Sequence, residues 1–271
     1  MHKNTDTIRR KGGCGILLKE ENVYGRLEEV SRRRNMKVLV IPDIHLKPWM
    51  FVRASELMQT VNIDRAVCLM DIADEWGQQM NLDLYMQTYD EAIRFAKKYP
   101  DTLWCYGNHD LCYLWNERES GYSPAAAGLV CQKLRELKET IRNEEQIAYI
   151  HRIDNVMFLH GGLTDRFVKR HIPKRIRDDI DEVIKHINNL GPAEMWDGES
   201  PIWYRPQYGR EKMYKHGKFL QVAGHTPMRE ITLEGAVLSC DVFSTDRNRR
   251  PYGSQEYLYL DTETWEFAGL V

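Results

Sequence analysis

Five short motifs bring together aspartate, histidine and asparagine side chains. The motifs are Asp43-Ile44-His45, Asp71 with Asp74, Gly107-Asn108-His109-Asp110, His160-Gly161-Gly162 and Gly224-His225-Thr226. Carboxylate, imidazole and amide donors together suit Mn, Fe, Zn, Ni or Co, and no motif contains the thiolate of a soft-metal structural site. The donor types therefore predict a transition-metal centre.

Each motif follows a short apolar run that predicts a buried strand. The runs are Val38–Ile41, Ala66–Met70, Leu103–Tyr106, Val156–Leu159 and Phe219–Ala223. Their apolarity is continuous rather than alternating, which is typical of strands covered on both faces. Loops from separate strands of an open α/β sheet converge at the carboxyl ends of those strands. We therefore expect the five motifs to form one site.

Stretches of helical period separate these runs and predict flanking helices. Apolar side chains recur at helical spacing over 54–61, 82–96, 130–141 and 176–190, and Gly191 is placed to end the last helix. After Gly235, apolar stretches at 236–240, 257–260 and 265–267 predict antiparallel strands. The pattern predicts a layered α/β fold with central mixed β-sheets flanked by helices and the metal site at the carboxyl ends of the strands.

Composition excludes several classes of protein. The 271 residues carry 38 Lys and Arg against 40 Asp and Glu, so there is no overall basic field for nonspecific nucleic-acid binding. No stretch approaches the roughly 20 apolar residues of a membrane span. The start of the sequence has basic residues but no long apolar core after them, which together with the missing span predicts a cytoplasmic protein. The six cysteines form no CxxC pair, which favours reduced thiols over a zinc finger or a disulfide scaffold.

Two parts of the chain are predicted, an N-terminal appendage at 1–35 and a single domain at 36–271. The appendage is polar, has a short candidate helix at 24–30 and ends in the basic run 31–35. Such a run usually lies on a solvated helix face, and contact with nucleic acid or an acidic partner is the functional alternative.

The order of the five motifs resembles that of the calcineurin-like metallophosphoesterases. The family pattern is D-x-H, G-D-x-x-D, G-N-H-[DE], a histidine and a G-H pair, and the match here runs from Asp43 to His225. The resemblance implies two metal ions. It places Asp43 and His45 on one ion, Asp71 on both, and Asn108, His160 and His225 on the other.

The resemblance also implies roles in catalysis and phosphate binding. His109 matches the acid–base histidine and Asp74 the carboxylate that orients it. The segments at 160–163, 203–206 and 224–227 look like those of the phosphoprotein phosphatases and the related symmetrical dinucleoside tetraphosphatases. In that branch an arginine at the position of Arg205 grips the substrate phosphate, and Asn108 is expected to bind the same phosphate.

Three departures from the family pattern stand out. Met70 replaces the glycine before the bridging aspartate. Glu75 replaces an arginine that clamps phosphate in the phosphatases. The glycine usual after D-x-H is also missing, and Lys47 in the replacement segment is a candidate to restore a cation near the phosphate.

The implied function is hydrolysis of a phosphomonoester or a nucleotide phosphoanhydride by a hydroxide that bridges two divalent ions, with manganese favoured over Fe, Zn, Ni or Co. Expected substrates are a phosphorylated small molecule, a nucleotide or a phosphoprotein, and no membrane is involved. Two alternatives stay open. One is a phosphodiesterase or nuclease with the same metal centre, the only case in which nucleic acid is a partner. The other is a binding protein that kept the fold and lost catalysis.

Several further residues have competing interpretations. His151, His171, His186 and His216 are assigned no role. Asp110 could belong to the metal site or cap the following helix. Four aromatic residues, Tyr113, Trp115, Trp203 and Tyr204, could stack on a nucleobase, although core packing is the ordinary role of such side chains. The helical segment 163–202 is predicted to form a wall or lid of the cleft.

Overall fold

The structure, a computed structural model, describes residues 36–271. The predicted appendage at 1–35, with its candidate helix and basic run, lies outside the described residues. Six strands form the first sheet: β1 (Lys37–Ile41), β2 (Arg65–Cys68), β3 (Leu103–Cys105), β4 (Ile147–Ala148), β10 (Tyr257–Asp261) and β11 (Phe267–Leu270). Their order is β11-β10-β1-β2-β3-β4, with β1 to β4 parallel and both β10 and β11 paired antiparallel.

Five strands form the second sheet: β5 (Ile150–Ile153), β6 (Val156–Leu159), β7 (Leu220–Ala223), β8 (Thr232–Glu234) and β9 (Val237–Ser239). Their order is β5-β6-β7-β9-β8, with parallel pairing of β6, β7 and β9 and antiparallel pairing at both edges. Both sheets are therefore mixed, as predicted.

Seven α-helices in the described range flank the sheets: α1 (Trp49–Thr60), α2 (Leu82–Lys98), α3 (Asn108–Trp115), α4 (Ala127–Thr140), α5 (Asp165–His171), α6 (Ile180–Ile187) and α7 (Pro192–Met195). Within β1, Leu39 and Ile41 pack with residues of α1 and α2, while Val38 and Val40 pack with residues of the second sheet. The continuous apolarity of this strand is explained because both of its faces are covered.

The segment from 176 to 191 differs from its prediction. Ile176 belongs to a separate 3-10 turn, α6 ends at Ile187, and Gly191 precedes α7 instead of ending a long helix. The proline at position 192 explains the difference, because proline is favoured in the first turn of a helix. The C-terminal prediction was also incomplete, since β9 pairs antiparallel with β8 but parallel with β7.

None of the helices within residues 36–271 combines the length and the apolarity that a membrane crossing requires.

Candidate active site

The two sheets bring their strand ends together at one cleft. The five predicted motifs follow β1, β2, β3, β6 and β7, in that order along the chain. The cleft has a volume of about 230 Å³. Its lining includes His45, Asp71, Asp74, His109, Arg205 and His225. The convergence expected from the sequence is therefore present.

Asp71 lies at the centre of the cleft floor. Its Oδ2 atom is 3.1 Å from His160 Nε2 and 3.9 Å from His45 Nε2, and its Oδ1 atom accepts the backbone N–H of His109 at 2.8 Å. Two clusters of potential metal ligands share this carboxylate. They are Asp43 with His45 and Asp71, and Asp71 with His160 and His225. We call these five residues together with Asn108 the floor.

The surroundings of His160 fit a bound cation. Its Nδ1–H donates to the Leu69 carbonyl at 3.1 Å, so Nε2 of the neutral ring carries a lone pair. That Nε2 atom lies 3.1 Å from Asn108 Oδ1 and 3.2 Å from His225 Nδ1, in addition to the Asp71 oxygen. Lone pairs that converge on one point repel each other unless a positive charge sits among them. The surrounding negative charge also shows in the pKa of His160, which burial lowers but Asp71 and Asp43 together raise to about 9. A positive charge at Nε2, either a proton or a metal ion, is therefore favoured.

Unpartnered atoms on the floor also fit metal binding. Asp43 Oδ1 and His225 Nε2 are buried and have no hydrogen-bond partner. Burial, with nearby Asp241 and in spite of His160, raises the pKa of Asp43 well above its usual range. A Cβ at position 224 would collide with Asp43 Oδ1, so the glycine there is required by close approach. Buried polar atoms that lack a hydrogen-bond partner and carry a lone pair are expected where a metal ion binds.

Asp110 is a structural member of the site rather than a helix N-cap. Gly107 occupies the N-cap of α3, and Asp110 lies at the third helical position. Its carboxylate accepts backbone N–H groups from Asp71 at 2.9 Å, Ile72 at 3.1 Å and Gly107 at 3.2 Å. These bonds hold a turn in which Met70 and Asp71 have φ angles of 54° and 41°. Met70 thus occupies the left-handed region where the family has glycine.

His109 and Asp74 form a hydrogen-bonded pair beside the floor. His109 Nδ1 donates to Asp74 Oδ2 at 2.9 Å, and the other oxygen of Asp74 accepts hydroxyl groups from Tyr85 at 2.7 Å and Tyr113 at 2.6 Å. Burial lowers the pKa of His109, but the charges of Asp71 and Asp74 outweigh it and raise the pKa to about 9. The pair therefore holds a proton on a ring that faces the cleft.

Arg205 presents an unpaired cation to the cleft. Through Nη1 it donates hydrogen bonds to the His225 carbonyl and to the Thr226 hydroxyl. It forms no ion pair with a carboxylate of residues 36–271, and its Nε and Nη2 atoms have no protein partner there. A half-buried guanidinium with free donors beside a metal-ligand cluster is well placed to bind an anion.

Lys47 does not replace the missing phosphate clamp. Its Nζ lies 2.9 Å from Glu75 Oε2, and both side chains are 9% exposed. Thr245 donates to the other oxygen of Glu75 at 2.7 Å. The two charges that depart from the family pattern therefore neutralise each other in a buried ion pair, which leaves Arg205 as the cation in the cleft lining.

The aromatic residues singled out from the sequence pack inside the protein. Tyr113 is 3% exposed and Tyr204 is 9% exposed. Trp115 and Trp203 both pack edge-on against Trp196, with ring centroids 5.7 and 5.1 Å apart. The exposed aromatic residue that lines the cleft is instead Trp76, which sequence reasoning did not consider.

The segment 163–202 is not a wall of this cleft. No residue of the segment belongs to the cleft lining. Its apolar side chains, among them Phe167, Val183 and Ile187, pack with Ile150 and Leu159 of the second sheet. Amphipathic helices bury such faces on the nearest sheet. The segment therefore supports the second sheet from the side.

Solved structures share the fold at low sequence identity. A cold-active protein-tyrosine phosphatase of a psychrophile, Shewanella sp., is 17% identical with a TM-score of 0.52, and the match covers 88% of this chain and 81% of that chain. A second cold-active protein tyrosine phosphatase structure is 16% identical with a TM-score of 0.50, covering 87% and 79%. A Saccharomyces cerevisiae protein serine/threonine phosphatase with similarity to human phosphatase PP5 is 12% identical with a TM-score of 0.48, and the match covers 84% of this chain and 74% of that chain.

No curated protein sequence matches the chain. The family model of the calcineurin-like phosphoesterases, in contrast, matches residues 36–256. This range contains all five motifs, the whole second sheet and the first sheet apart from β10 and β11. The resemblance of the motifs and the observed fold agree with this match, and the chain belongs to the calcineurin-like phosphoesterase family.

Proposed function

We propose that this hydrolase cleaves a phosphomonoester or a nucleotide phosphoanhydride with the help of two divalent ions, manganese being the native metal. The observation that carries the proposal is the arrangement of the cleft. A floor of six metal-ligand candidates, the His109–Asp74 pair and the unpaired Arg205 surround a single volume of about 230 Å³. This arrangement supports the proposal because it offers candidate groups for metal binding, proton transfer and phosphate binding.

The six floor residues would divide into two ligand sets. Asp43 and His45 would hold one ion, Asn108, His160 and His225 the other, and Asp71 both. The shared carboxylate in the two clusters supports this division, as do the unpartnered Asp43 Oδ1 and the lone pairs around His160 Nε2. Two such ions, when bound, acidify a water molecule and neutralise charge on phosphate oxygens.

His109 would supply the proton that the leaving group needs. Hydrolysis forms one P–O bond to the oxygen of water and breaks the ester P–O bond, and the departing oxygen takes a proton from the His109 ring. Asp74 accepts the Nδ1–H of His109, which leaves Nε2 as the atom that carries the transferred proton. The hydroxyl groups of Tyr85 and Tyr113 keep the Asp74 carboxylate in that orientation.

Arg205 would favour substrates whose phosphate group carries more negative charge. A terminal phosphate has more free anionic oxygens than an internal diester, so it can meet the floor and a guanidinium at the same time. Asn108 lies on the floor 3.1 Å from His160 and would contact the same phosphate. A monoester or a terminal anhydride is therefore favoured over a diester.

The experiment compares nitrophenyl phosphate with bis-nitrophenyl phosphate in manganese-containing buffer. We expect the wild-type protein to prefer the monoester. Arg205→Ala should lower kcat/KM for the monoester by a factor that corresponds to a loss of about 2–4 kcal/mol of transition-state stabilisation. The loss for the diester should be smaller, because the guanidinium acts on charge that the diester lacks. Arg210→Ala, an exposed arginine outside the cleft lining, is the matched control. A wild-type preference for the diester would support the phosphodiesterase alternative instead.

The cytoplasm stays a prediction for the location of the protein. Its support is that the cysteines of residues 36–271 are all free, which is the usual state in a reducing compartment.

A further inference from the structure

A tight turn presents Trp76 at the edge of the cleft. The backbone N–H of Gln78 donates to the Glu75 carbonyl at 3.1 Å, and Gly77 has a φ angle of 68°. Glycine at the third position with positive φ is typical of a type II turn, in which the second residue stands at the outer corner. That residue is Trp76, and its side chain is 43% exposed while it lines the cleft.

Glu75 fixes this turn to two other loops. One carboxylate oxygen accepts the Trp76 backbone N–H at 2.7 Å and the Thr245 hydroxyl at 2.7 Å. The other oxygen pairs with Lys47 at 2.9 Å. A buried carboxylate with these partners holds the turn in one position. Glu75 thus anchors the aromatic side chain that follows it in the sequence.

The loop that contains Thr245 also places Arg247 beside the indole ring of Trp76. The Arg247 guanidinium lies 5.7 Å from the centroid of the Trp76 ring, within the range of a cation–π contact. Arg247 is exposed and forms no ion pair with a carboxylate of residues 36–271. An aromatic ring and an uncompensated guanidinium therefore stand together at the rim of a cleft whose floor is suited to phosphate.

We propose that Trp76 and Arg247 form a subsite for a planar aromatic ring carried by the leaving group of the substrate. This inference rests on the proposed function and names its substrate class. A flat ring can stack on the indole and on the guanidinium plane, whereas a saturated group of the same size gains only hydrophobic contact. The ring can belong to an aryl phosphate, such as phosphotyrosine, or to the base of a nucleotide, because both offer the same π face.

The test compares benzyl phosphate with cyclohexylmethyl phosphate. Both release a primary alcohol and have similar bulk, so their difference isolates the aromatic face. We expect the wild-type protein to favour benzyl phosphate in kcat/KM by roughly tenfold. Trp76→Ala should abolish this preference, and Trp76→Phe should keep most of it because a ring remains. Arg247→Ala should reduce the preference by roughly two- to fivefold.

Two control variants match the changed side chains. Tyr208→Ala removes an aromatic residue that is 75% exposed and lies outside the cleft lining, and Arg249→Ala removes a neighbouring exposed arginine. Both should keep the wild-type preference. Phosphotyrosine and adenosine 5′-monophosphate then distinguish the two sources of the ring. A Trp76-dependent kcat/KM for either one supports the subsite and identifies its ring.

A binding measurement separates the subsite from the proposed function. Calorimetric titration with 2-phenylethylphosphonate and 2-cyclohexylethylphosphonate, the uncleavable analogues, needs no turnover. If the wild-type protein binds the phenyl compound more tightly and Trp76→Ala loses this preference, the subsite is supported, whether or not any ester is hydrolysed. A failure to hydrolyse any ester would overturn the proposed function but not the subsite. Equal binding of the two analogues by the wild-type protein, or an unchanged preference in Trp76→Ala, would overturn the subsite.

Discussion

The floor of the cleft and its rim are built in opposite ways. The floor carries carboxylate and imidazole groups that are nearly all buried, and its loops contain positive φ angles at His45, Asp71 and His225. The rim carries two exposed side chains, Trp76 and Arg247, and the turn that presents Trp76 has a glycine, Gly77, at its positive-φ position.

Because of this difference, we expect substitutions in the floor to affect the stability of the fold and substitutions in the rim to affect it little. Non-glycine residues in the left-handed region cost about 1–3 kcal/mol each, and buried unpaired carboxylates add to that cost. Cations that compensate this charge would therefore stabilise the floor, and a change there is expected to disturb binding and chemistry together. The rim can change its side chains with little effect on the fold. We infer that the floor determines the reaction and that the rim determines the substrate.

Removal of His109 should have the largest effect on turnover without disturbing the floor. We expect His109→Ala to lower kcat by roughly 10²-fold or more while metal content stays at the wild-type value. The loss should be larger for an alkyl phosphate than for nitrophenyl phosphate, whose leaving group needs little protonation. His186→Ala, outside the cleft lining, is the control. Equal losses on both substrates would argue against a proton donor.

A substitution of Asp110 tests whether metal binding by the floor depends on the hydrogen bonds that support the turn around Asp71. Asp110→Asn replaces an acceptor oxygen by an N–H₂ group and so breaks at least one of the three bonds to the turn around Asp71. We expect the affinity for manganese to fall about 10- to 100-fold, as is usual when support of a metal ligand is lost. Titration of metal-free protein measures it, with Asp101→Asn on the exposed surface as the control. An unchanged affinity would show that the turn around Asp71 keeps its conformation without the hydrogen bonds to Asp110.

His151 is a buried histidine that belongs to neither the floor nor the rim, and we expect it to make the stability of the protein depend on pH. Its Nε2–H donates to the Trp104 carbonyl at 3.1 Å, and burial lowers its pKa to about 4. The unfolded chain binds a proton near pH 6.5, so stability is lost as the pH falls from 7 towards 4. This loss amounts to about 2 kcal/mol at pH 5.

Urea unfolding at pH 7 and pH 5 measures this loss. His151→Gln should be less stable than the wild type at pH 7, and the gap should shrink by about 2 kcal/mol at pH 5, because glutamine has no proton to bind. His186→Gln, whose side chain is only partly buried, should follow the wild-type pH dependence. Parallel curves for wild type and His151→Gln would show that His151 titrates normally in the folded protein.

The sequence predicted the buried strands and the motifs after them because both are local patterns. The run at 38–41 alternates its contacts between two layers, and such strands are apolar throughout. The edge strand β8 escaped prediction because Thr232–Glu234 is short and largely exposed. The start of α7 could have been found from the Gly191-Pro192 pair, which marks a helix beginning.

The site was less predictable where its contacts join distant parts of the chain. The Lys47–Glu75 pair spans 28 residues and the Asp110 contact with Asp71 spans 39, so no spacing rule connects them. Exposure decides which aromatic residue can meet a substrate, and exposure depends on packing that a single sequence does not contain. For that reason Trp76 was overlooked while the buried Tyr113 was considered.

The metal content of the protein tests the central claim most directly. Elemental analysis of wild-type protein, loaded with manganese and freed of excess metal, should find about two ions per chain. Asp71→Ala should bind neither ion tightly, because one carboxylate serves both ligand clusters. Asp101→Ala, an exposed control, should keep two ions. Two ions retained in Asp71→Ala would contradict the shared-ligand floor on which the proposed reaction depends.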